Sequence, residues 1–383
     1  MPAQPAYASP APPEHFPASR LPKTRAEAAD WLRLARSRNV GSGSFRALLN
    51  RFVSAASALE ALPRLAAQGG TRDYVPANPG EIEAEIARGA ALGARMLFLG
   101  APDYPPLLAA IGDPPPVMWA LGDPAIVRRS TIALVGARNA SSLGLRMAQH
   151  LGEALGAAGH VIVSGLARGI DTAAHRSALA TGTLAVLAGG LDRIYPEENA
   201  PLAAEIASQG LLISEAPMGL EPTARHFPRR NRIVSGVSRG VVLVEAAERS
   251  GSLVTARTAL EQGREVMAVP GSPLDPRTGG CNWLLRQGAV LIRRAEDVEE
   301  ALALPGPAPA RERQHVWAAE EAPRPAADLP ERILGLLSPA PVSEDDLVRA
   351  AGADPGAVLR AIVELDLAGR VERRPGGVVA LLG

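Results

Sequence analysis

The densest chemistry in this sequence is the stretch RHFPRRNRIVSG at 225–236. It places Arg225, Arg229, Arg230 and Arg232 within eight positions, with His226 and Phe227 interleaved and no acid among them. Such a run reads either as a solvated basic loop or as a contact for single-stranded nucleic acid. In the second reading cations track the phosphates while bases stack on the ring, at about 1–3 kcal/mol per base. The chain as a whole carries 40 basic and 40 acidic residues. Affinity for a polyanion must therefore come from local clusters of this kind rather than from a global field.

Three glycine- and serine-rich turns have a related character. The first, VGARNASSLG, begins like a dinucleotide fingerprint, but after Gly136 the second and third glycines are replaced by Arg138 and Ser141. The next apolar run ends in Ser164–Gly165, without the acid that would hold a ribose. These departures disfavour a dinucleotide. What remains is a small-residue turn at a helix start, with free amides and a guanidinium, which suits a phosphate outside a pyrophosphate. SGLARGID repeats the device with Arg168 and Gly169, and SGSLVT supplies a third turn at Ser250, Gly251 and Ser252.

The acids at strand ends, Asp171, Asp192, Glu215 and Glu245, could converge on Mg²⁺ as in a nuclease. Equally, Asp171 suits a helix's first turn, and Glu215 and Glu245 suit pairing with nearby arginines. His175 is either a base or a hydrogen-bonded structural residue, and the six histidines form no H-E-x-x-H. Cys281 is the only cysteine, which excludes an internal disulfide and a cysteine zinc cage. Lys23, the only lysine, lies in a Pro-rich N-terminal stretch, so neither a Walker A loop nor Schiff-base chemistry is available to the folded body. No nucleophile–base–acid set stands out. The residues describe a binding protein, without metal or cofactor, rather than a catalyst.

The elements that must position these residues are readable from pattern. Six short apolar runs, TIALVG, VIVSGLA, TLAVLAGG, LLISEAP, VVLVEAA and EVMAVPG, alternate with helical stretches and end in small residues. That pattern predicts buried parallel strands in a Rossmann-like, doubly wound α/β sheet, with ligands beyond the strands' carboxyl ends. Residues 1–22 read as a disordered Pro/Ala-rich tail and 23–78 as a helical domain. Within that domain, Gly41 and Gly43 open a turn of either a helix-hairpin-helix or a plain bundle. The core is expected over 79–300 and a linker over 301–328. Over 329–383, three helices and a Pro-Gly-Gly hairpin make a winged helix, with Ser343 and Asp354 as N-caps. Its partner is either duplex DNA, through Arg370, Arg373 and Arg374 of the wing, or another protein. The N-terminus lacks the features of a signal peptide, and no apolar run approaches the roughly 20 residues that span a bilayer. A cytoplasmic location is expected.

Taken together, VGAR, SGLARGIDTAAHRSAL, AVLAGGLDRIYPEEN, LLISEAP, HFPRRNRIVSG, VVLVEAAERSGSLVTARTALEQGREVMAVPG and GCNWLLRQGA resemble the DNA-processing protein A family, DprA/Smf. The resemblance runs continuously over about 131–292, and the flanks resemble the family's sterile-alpha-motif-like and winged-helix domains. It implies a non-enzymatic protein that binds single-stranded DNA without sequence preference, forms a homodimer, and loads the RecA recombinase in natural transformation. It also implies site roles. Gly136, Arg138, Ser164, Gly165, Arg168, Arg229, Arg230, Asn231 and Arg232 would surround phosphates, Phe227 would stack a base, and Ser250, Gly251 and Ser252 would close the floor. Leu143 stands where the family often has a tyrosine, and Ala188 where a glycine is common. The competing reading is a Rossmann-type phosphoribohydrolase. Its P-G-G-x-G-T-x-x-E signature is only loosely approached, because SGSLVTARTALEQ lacks the preceding P-G-G.

Overall fold

The computed structural model describes residues 20–68, 73–303, 329–337, 342–368, 370–374 and 378–381. Most of the expected tail and linker, and the Pro-Gly-Gly turn, lie outside these residues. The chain divides into two units, Met1–Arg311 and Glu312–Gly383.

Four helices open the first unit: α1 (Arg25–Arg36), α2 (Ser42–Arg51), α3 (Ala55–Gln68) and α4 (Pro79–Leu92). Thr24 starts α1 with a capping box, its hydroxyl accepting from the Glu27 amide while the Glu27 carboxylate reaches back. Strand β1 (Arg95–Phe98), short helix α5 (Pro106–Ala109) and strand β2 (Val117–Gly122) follow. The chain then alternates through β3 (Thr131–Val135), α6 (Ser142–Ala157), β4 (Val161–Ser164), α7 (Ile170–Ala178), β5 (Thr183–Val186), α8 (Ala200–Gln209) and β6 (Leu211–Ser214). It continues through α9 (His226–Gly236), β7 (Gly240–Leu243), α10 (Gly251–Glu261), β8 (Glu265–Ala268), α11 (Gly279–Arg286), β9 (Val290–Leu291) and α12 (Ala295–Ala303).

All nine strands join one sheet in the order β1-β2-β6-β5-β4-β3-β7-β8-β9. Strands β6 to β9 run parallel, and β2 and β1 add an antiparallel edge. The six apolar runs are β3 to β8, as expected, and they are apolar on both faces because both faces are covered. In β3, Ala133 and Val135 join the cluster packed under α9, α10 and α11, whereas Ile132 and Leu134 join the one under α6, α7 and α12.

The N-terminal helices are built onto this sheet. Trp31 meets Phe45 and Phe98 edge-on, at 5.2 and 5.6 Å between ring centres. Trp31, Phe45 and Leu49 belong to one apolar cluster with Trp119, Leu187 and Ile206. Glu85 of α4 forms a buried ion pair with Arg36 at 2.8 Å and accepts from the Trp119 indole at 2.7 Å. Arg36 also donates to the Glu215 carbonyl just beyond β6, which ties α1 to the strand ends.

The second unit is a winged helix: α13 (Leu329–Leu336), β10 (Val342–Ser343), α14 (Glu344–Ala351), α15 (Pro355–Leu367), β11 (Val371–Arg374) and β12 (Val378–Leu381). Ser343 and Asp354 cap α14 and α15, as their types and positions suggested. Strand β10, only two residues long, was not foreseen; it pairs with β12.

Candidate nucleic-acid interface

Strands β5, β4, β3 and β7 end side by side. The chain winds outward from β3 through β4 and β5 on one side and restarts at β7 on the other. The crevice between β3 and β7 is therefore a topological switch point, where open α/β sheets take their ligands. The turns after these strands and one face of α9 line a cleft of about 1910 Å³. It narrows to a small inner chamber walled by Phe227, Tyr195, Pro196, Pro222 and the Leu187–Gly189 turn.

Arg230 is the floor. It is buried, its Nη1 donates to the carbonyls of Gly165 and, at 2.6 Å, Val186, and its Nε reaches Asn231. It thus ties the ends of β4 and β5 to α9. Burial lowers its pKa to about 10, opposed by the attraction of Asp171. Gly165 is required there, since a Cβ would stand 2.3 Å from the guanidinium. Asp171 is buried too and accepts from the amides of Gly165 and Ala167 at 3.0 and 3.3 Å. Desolvation pushes its pKa up, while Arg230 and those amides pull it down. Gly169, at φ +74, closes the next turn against the first: a Cβ would meet the Ala137 carbonyl at 2.3 Å. Glu245, also buried, pins the loop after β3 by accepting from the Ser141 amide and hydroxyl at 3.0 and 2.6 Å.

Above the floor, the Arg138 guanidinium lies 4.9 Å from the centre of the Phe227 ring. Tyr195 approaches the same ring at 5.7 Å, and Arg230 underlies it at 6.0 Å. An aromatic ring within reach of two guanidiniums and a phenol, at a chamber open to solvent, is a surface for a flat base beside an anion.

Four expected phosphate contacts are engaged inside the protein. The Ser164 hydroxyl is buried and donates to the Leu134 carbonyl, so it joins strands and does not face the cleft. The Gly165 amide is taken by Asp171 and its carbonyl by Arg230. Arg230 is a floor beam rather than an arm. Arg232 is bonded to the Glu215 carboxylate at 2.6 and 2.7 Å, donates to the Asp113 carbonyl at 2.6 Å, lies 3.3 Å from the Asp113 carboxylate, and is nearly buried.

A helical period explains the division. Segment 226–236 is α9, not a loop, and Phe227, Arg230, Asn231 and Val234 share the face toward the cleft. His226, Arg229 and Arg232 turn instead toward a second groove, beside Asn39–Ser42. Gly136, Arg138, Asn231, Ser250, Gly251 and Ser252 all line the main cleft, and Arg168 stands at the chamber's mouth. Ser250 caps α10 by accepting from the Ser252 amide.

The sequence reading missed Tyr195 and Arg277, both on the cleft wall. Tyr195 had a signal, an aromatic in the turn beyond the third apolar run; Arg277, in a polar loop, had none. The candidate nuclease acids are separated: Glu215 pairs with Arg232, Asp192 caps the Gly219 amide, and Asp171 and Glu245 hold backbone. Among the described residues no group of three or more His, Cys, Asp or Glu is placed to hold a metal ion. No helix among them is long and apolar enough to cross a membrane.

Comparison with known proteins agrees with this architecture. Residues 95–303 match the family model for DNA recombination-mediator protein A, 25–87 a DprA-like N-terminal HHH domain, and 318–377 a DprA winged-helix domain. Protein Smf of Escherichia coli is 41% identical over 286 residues, covering 73% of this chain and 75% of that one. DNA processing protein DprA of Bacillus subtilis is 46% identical over 213 residues, covering 55% and 72%. The crystal structure of Streptococcus pneumoniae DprA, 38% identical, aligns with a TM-score of 0.52 over 58% of this chain and 82% of that one. DprA of Helicobacter pylori, described for its single-stranded DNA binding mode, is 29% identical and aligns at 0.51 over 55% and 95%. The chain belongs to the DNA recombination-mediator protein A family, DprA/Smf.

Proposed function

We propose that this protein binds single-stranded DNA without sequence preference in the cleft at the ends of β5, β4, β3 and β7. The observation that carries the reading is the Phe227 ring between Arg138 and Tyr195. A ring stacks any base, and a guanidinium attracts any phosphate, so neither selects sequence. The inner chamber's ionisable lining is guanidinium and phenol alone. Those groups bind anions and planar rings but do not activate water, which favours binding over phosphoribohydrolase chemistry. The related H. pylori protein's described binding mode supports the same ligand. Through the family resemblance, the wider role is to protect incoming single-stranded DNA in the cytoplasm and load RecA onto it, with the protein acting as a homodimer.

The test is fluorescence anisotropy with labelled oligo-dT and the matching duplex over a salt series, for wild type and Arg138→Ala. Tight single-strand binding that the substitution weakens, with a shallower salt dependence, is the expected result. Equal, weak binding to both forms, with release of free base from a nucleoside monophosphate, would replace this reading with the hydrolase.

A further inference from the structure

Five arginines line the cleft and its inner chamber: Arg138, Arg168, Arg193, Arg230 and Arg277. Arg230 is buried in the floor and Arg138 lies over Phe227. Each of the other three holds a carboxylate. Arg168 grips Glu198 with two parallel bonds, Nε to Oε1 at 2.7 Å and Nη2 to Oε2 at 2.8 Å. Arg277 grips Asp275 likewise, at 3.0 and 2.8 Å, and its Nε also lies 3.8 Å from the buried Glu245. Arg193 lies 3.7 Å from Glu221.

These pairs are exposed, but the strongest is not a chance meeting of two mobile side chains. The adjacent Asn199 is buried, and its amide donates to the Leu166 carbonyl and the Thr172 hydroxyl, both at 2.9 Å. The segment carrying Glu198 is thereby fastened to the loop carrying Arg168. Asp275 is fixed within its own turn, its carbonyl accepting from the Thr278 amide and hydroxyl, both at 3.0 Å.

We propose that Glu198, Asp275 and Glu221 are built-in competitors of a bound phosphate backbone, so that a strand enters by exchanging carboxylate for phosphate on Arg168, Arg277 and Arg193. This rests on the cleft being the DNA site. At rest the rim is nearly neutral, and of these five only Arg138 offers an exposed guanidinium with no ion pair among the described residues. Binding is therefore weaker, and less salt-dependent, than five arginines would give. A strand that has displaced the carboxylates is also readily displaced by them, which suits a protein that holds DNA only transiently.

The experiment compares wild type with Glu198→Gln, Asp275→Asn, Glu221→Gln and the triple variant, as full-length chains, by anisotropy with labelled oligo-dT over a salt series. Each amide keeps the side chain's size, at exposed positions for Glu198 and Glu221 and a half-buried one for Asp275, and a thermal melt confirms unchanged folding. Glu198→Gln should tighten binding about two- to fivefold, the range that loss of an exposed ion pair allows. Each fully released arginine should steepen the salt slope by about 0.7, so the triple variant by between about 1.4 and about 2, since Arg277 keeps Glu245 nearby. In an Arg168→Ala background the Glu198→Gln gain should vanish, because it acts through that guanidinium. Variants that bind like wild type would overturn the competitor proposal and leave the DNA site standing. A Glu198→Gln gain that survives Arg168→Ala would overturn it too, by assigning the effect to through-space repulsion. No binding of oligo-dT by wild type or any variant would sink the DNA reading and this proposal with it.

Discussion

Gly165 and Arg230 are fitted to each other. The guanidinium donates to the Gly165 carbonyl and lies so close that a Cβ at 165 would stand 2.3 Å from Nη1. Long side chains normally yield to such a contact, but this one is buried and anchors two strand ends. Moving it leaves the Val186 and Gly165 carbonyls without their donor. Gly165→Ala should therefore destabilise the fold by about 1–3 kcal/mol. The midpoint of urea unfolding reads it directly. A midpoint equal to wild type would mean that the floor tolerates a displaced Arg230.

The two sides of the stacking surface should separate by salt. Phe227→Leu removes a π-face but no charge, so it should weaken single-strand binding by about 1–3 kcal/mol with an unchanged salt slope. Arg138→Ala removes a phosphate contact, so it should weaken binding and flatten the slope by about 0.7. Anisotropy titrations at several salt concentrations distinguish them. If Phe227→Leu flattens the slope as much as Arg138→Ala, the ring is only a support for the guanidinium.

Much of the core could be read from the chain, because a strand covered on both faces writes a continuous apolar run that ends where small residues make room for a ligand. Gly136 and Ser164–Gly165 stand at two of those ends, whereas Ser250–Ser252 lies further on, at the start of α10. What could not be read was which arginines would remain available. RHFPRRNRIVSG gives no helical stripe of apolar residues, so its four cations look like one patch. Wound into α9, with Pro228 tolerated in the first turn, Arg230 faces the cleft while Arg229 and Arg232 turn to the second groove, and Arg225 stands before the helix. The partners that engage Arg230 and Arg232 lie at 165, 186 and 215, distances along the chain that local pattern does not span.

His175 should make stability depend on pH. It is fully buried, its Nδ1 lies 2.7 Å from the Thr183 hydroxyl, and that hydroxyl donates onward to the Ile162 carbonyl. Nδ1 therefore carries the proton, and Nε2 is buried with no hydrogen-bond partner among the described residues. Desolvation, reinforced by Arg230, lowers the folded-state pKa from 6.5 to about 3. The unfolded chain takes up a proton below 6.5 that the folded one refuses until near 3. Stability is full above that window and is lost as pH falls through it, by at most about 1.4 kcal/mol per pH unit. His175→Gln should lower stability at neutral pH yet flatten the decline in urea midpoint between about pH 7 and pH 5. An equally steep decline in the variant would assign the acid sensitivity to other groups.

Glu85 tests how firmly the N-terminal helices are joined to the sheet. Its carboxylate serves Arg36 and the Trp119 indole at once, and both the carboxylate and Arg36 are largely out of solvent. Gly89, one turn further along α4, lets the Trp119 ring lie against the helix; a Cβ there would sit 2.3 Å from the ring. Glu85→Ala leaves a buried guanidinium without its counter-charge and an indole N–H without an acceptor. Such a loss should cost about 3–5 kcal/mol. Glu85→Gln keeps an acceptor for the indole and so should fall between the variant and wild type. Trp31 and Trp119 lie in the same apolar cluster, so in a background with Trp283 and Trp317 changed to Phe their fluorescence reports this junction. In Glu85→Ala the tryptophan signal should move at lower urea than the far-ultraviolet circular dichroism of the whole chain, which would show the helices leaving before the sheet. Coincident transitions would instead mean that helices and sheet fold as one cooperative body, with Glu85 stabilising all of it.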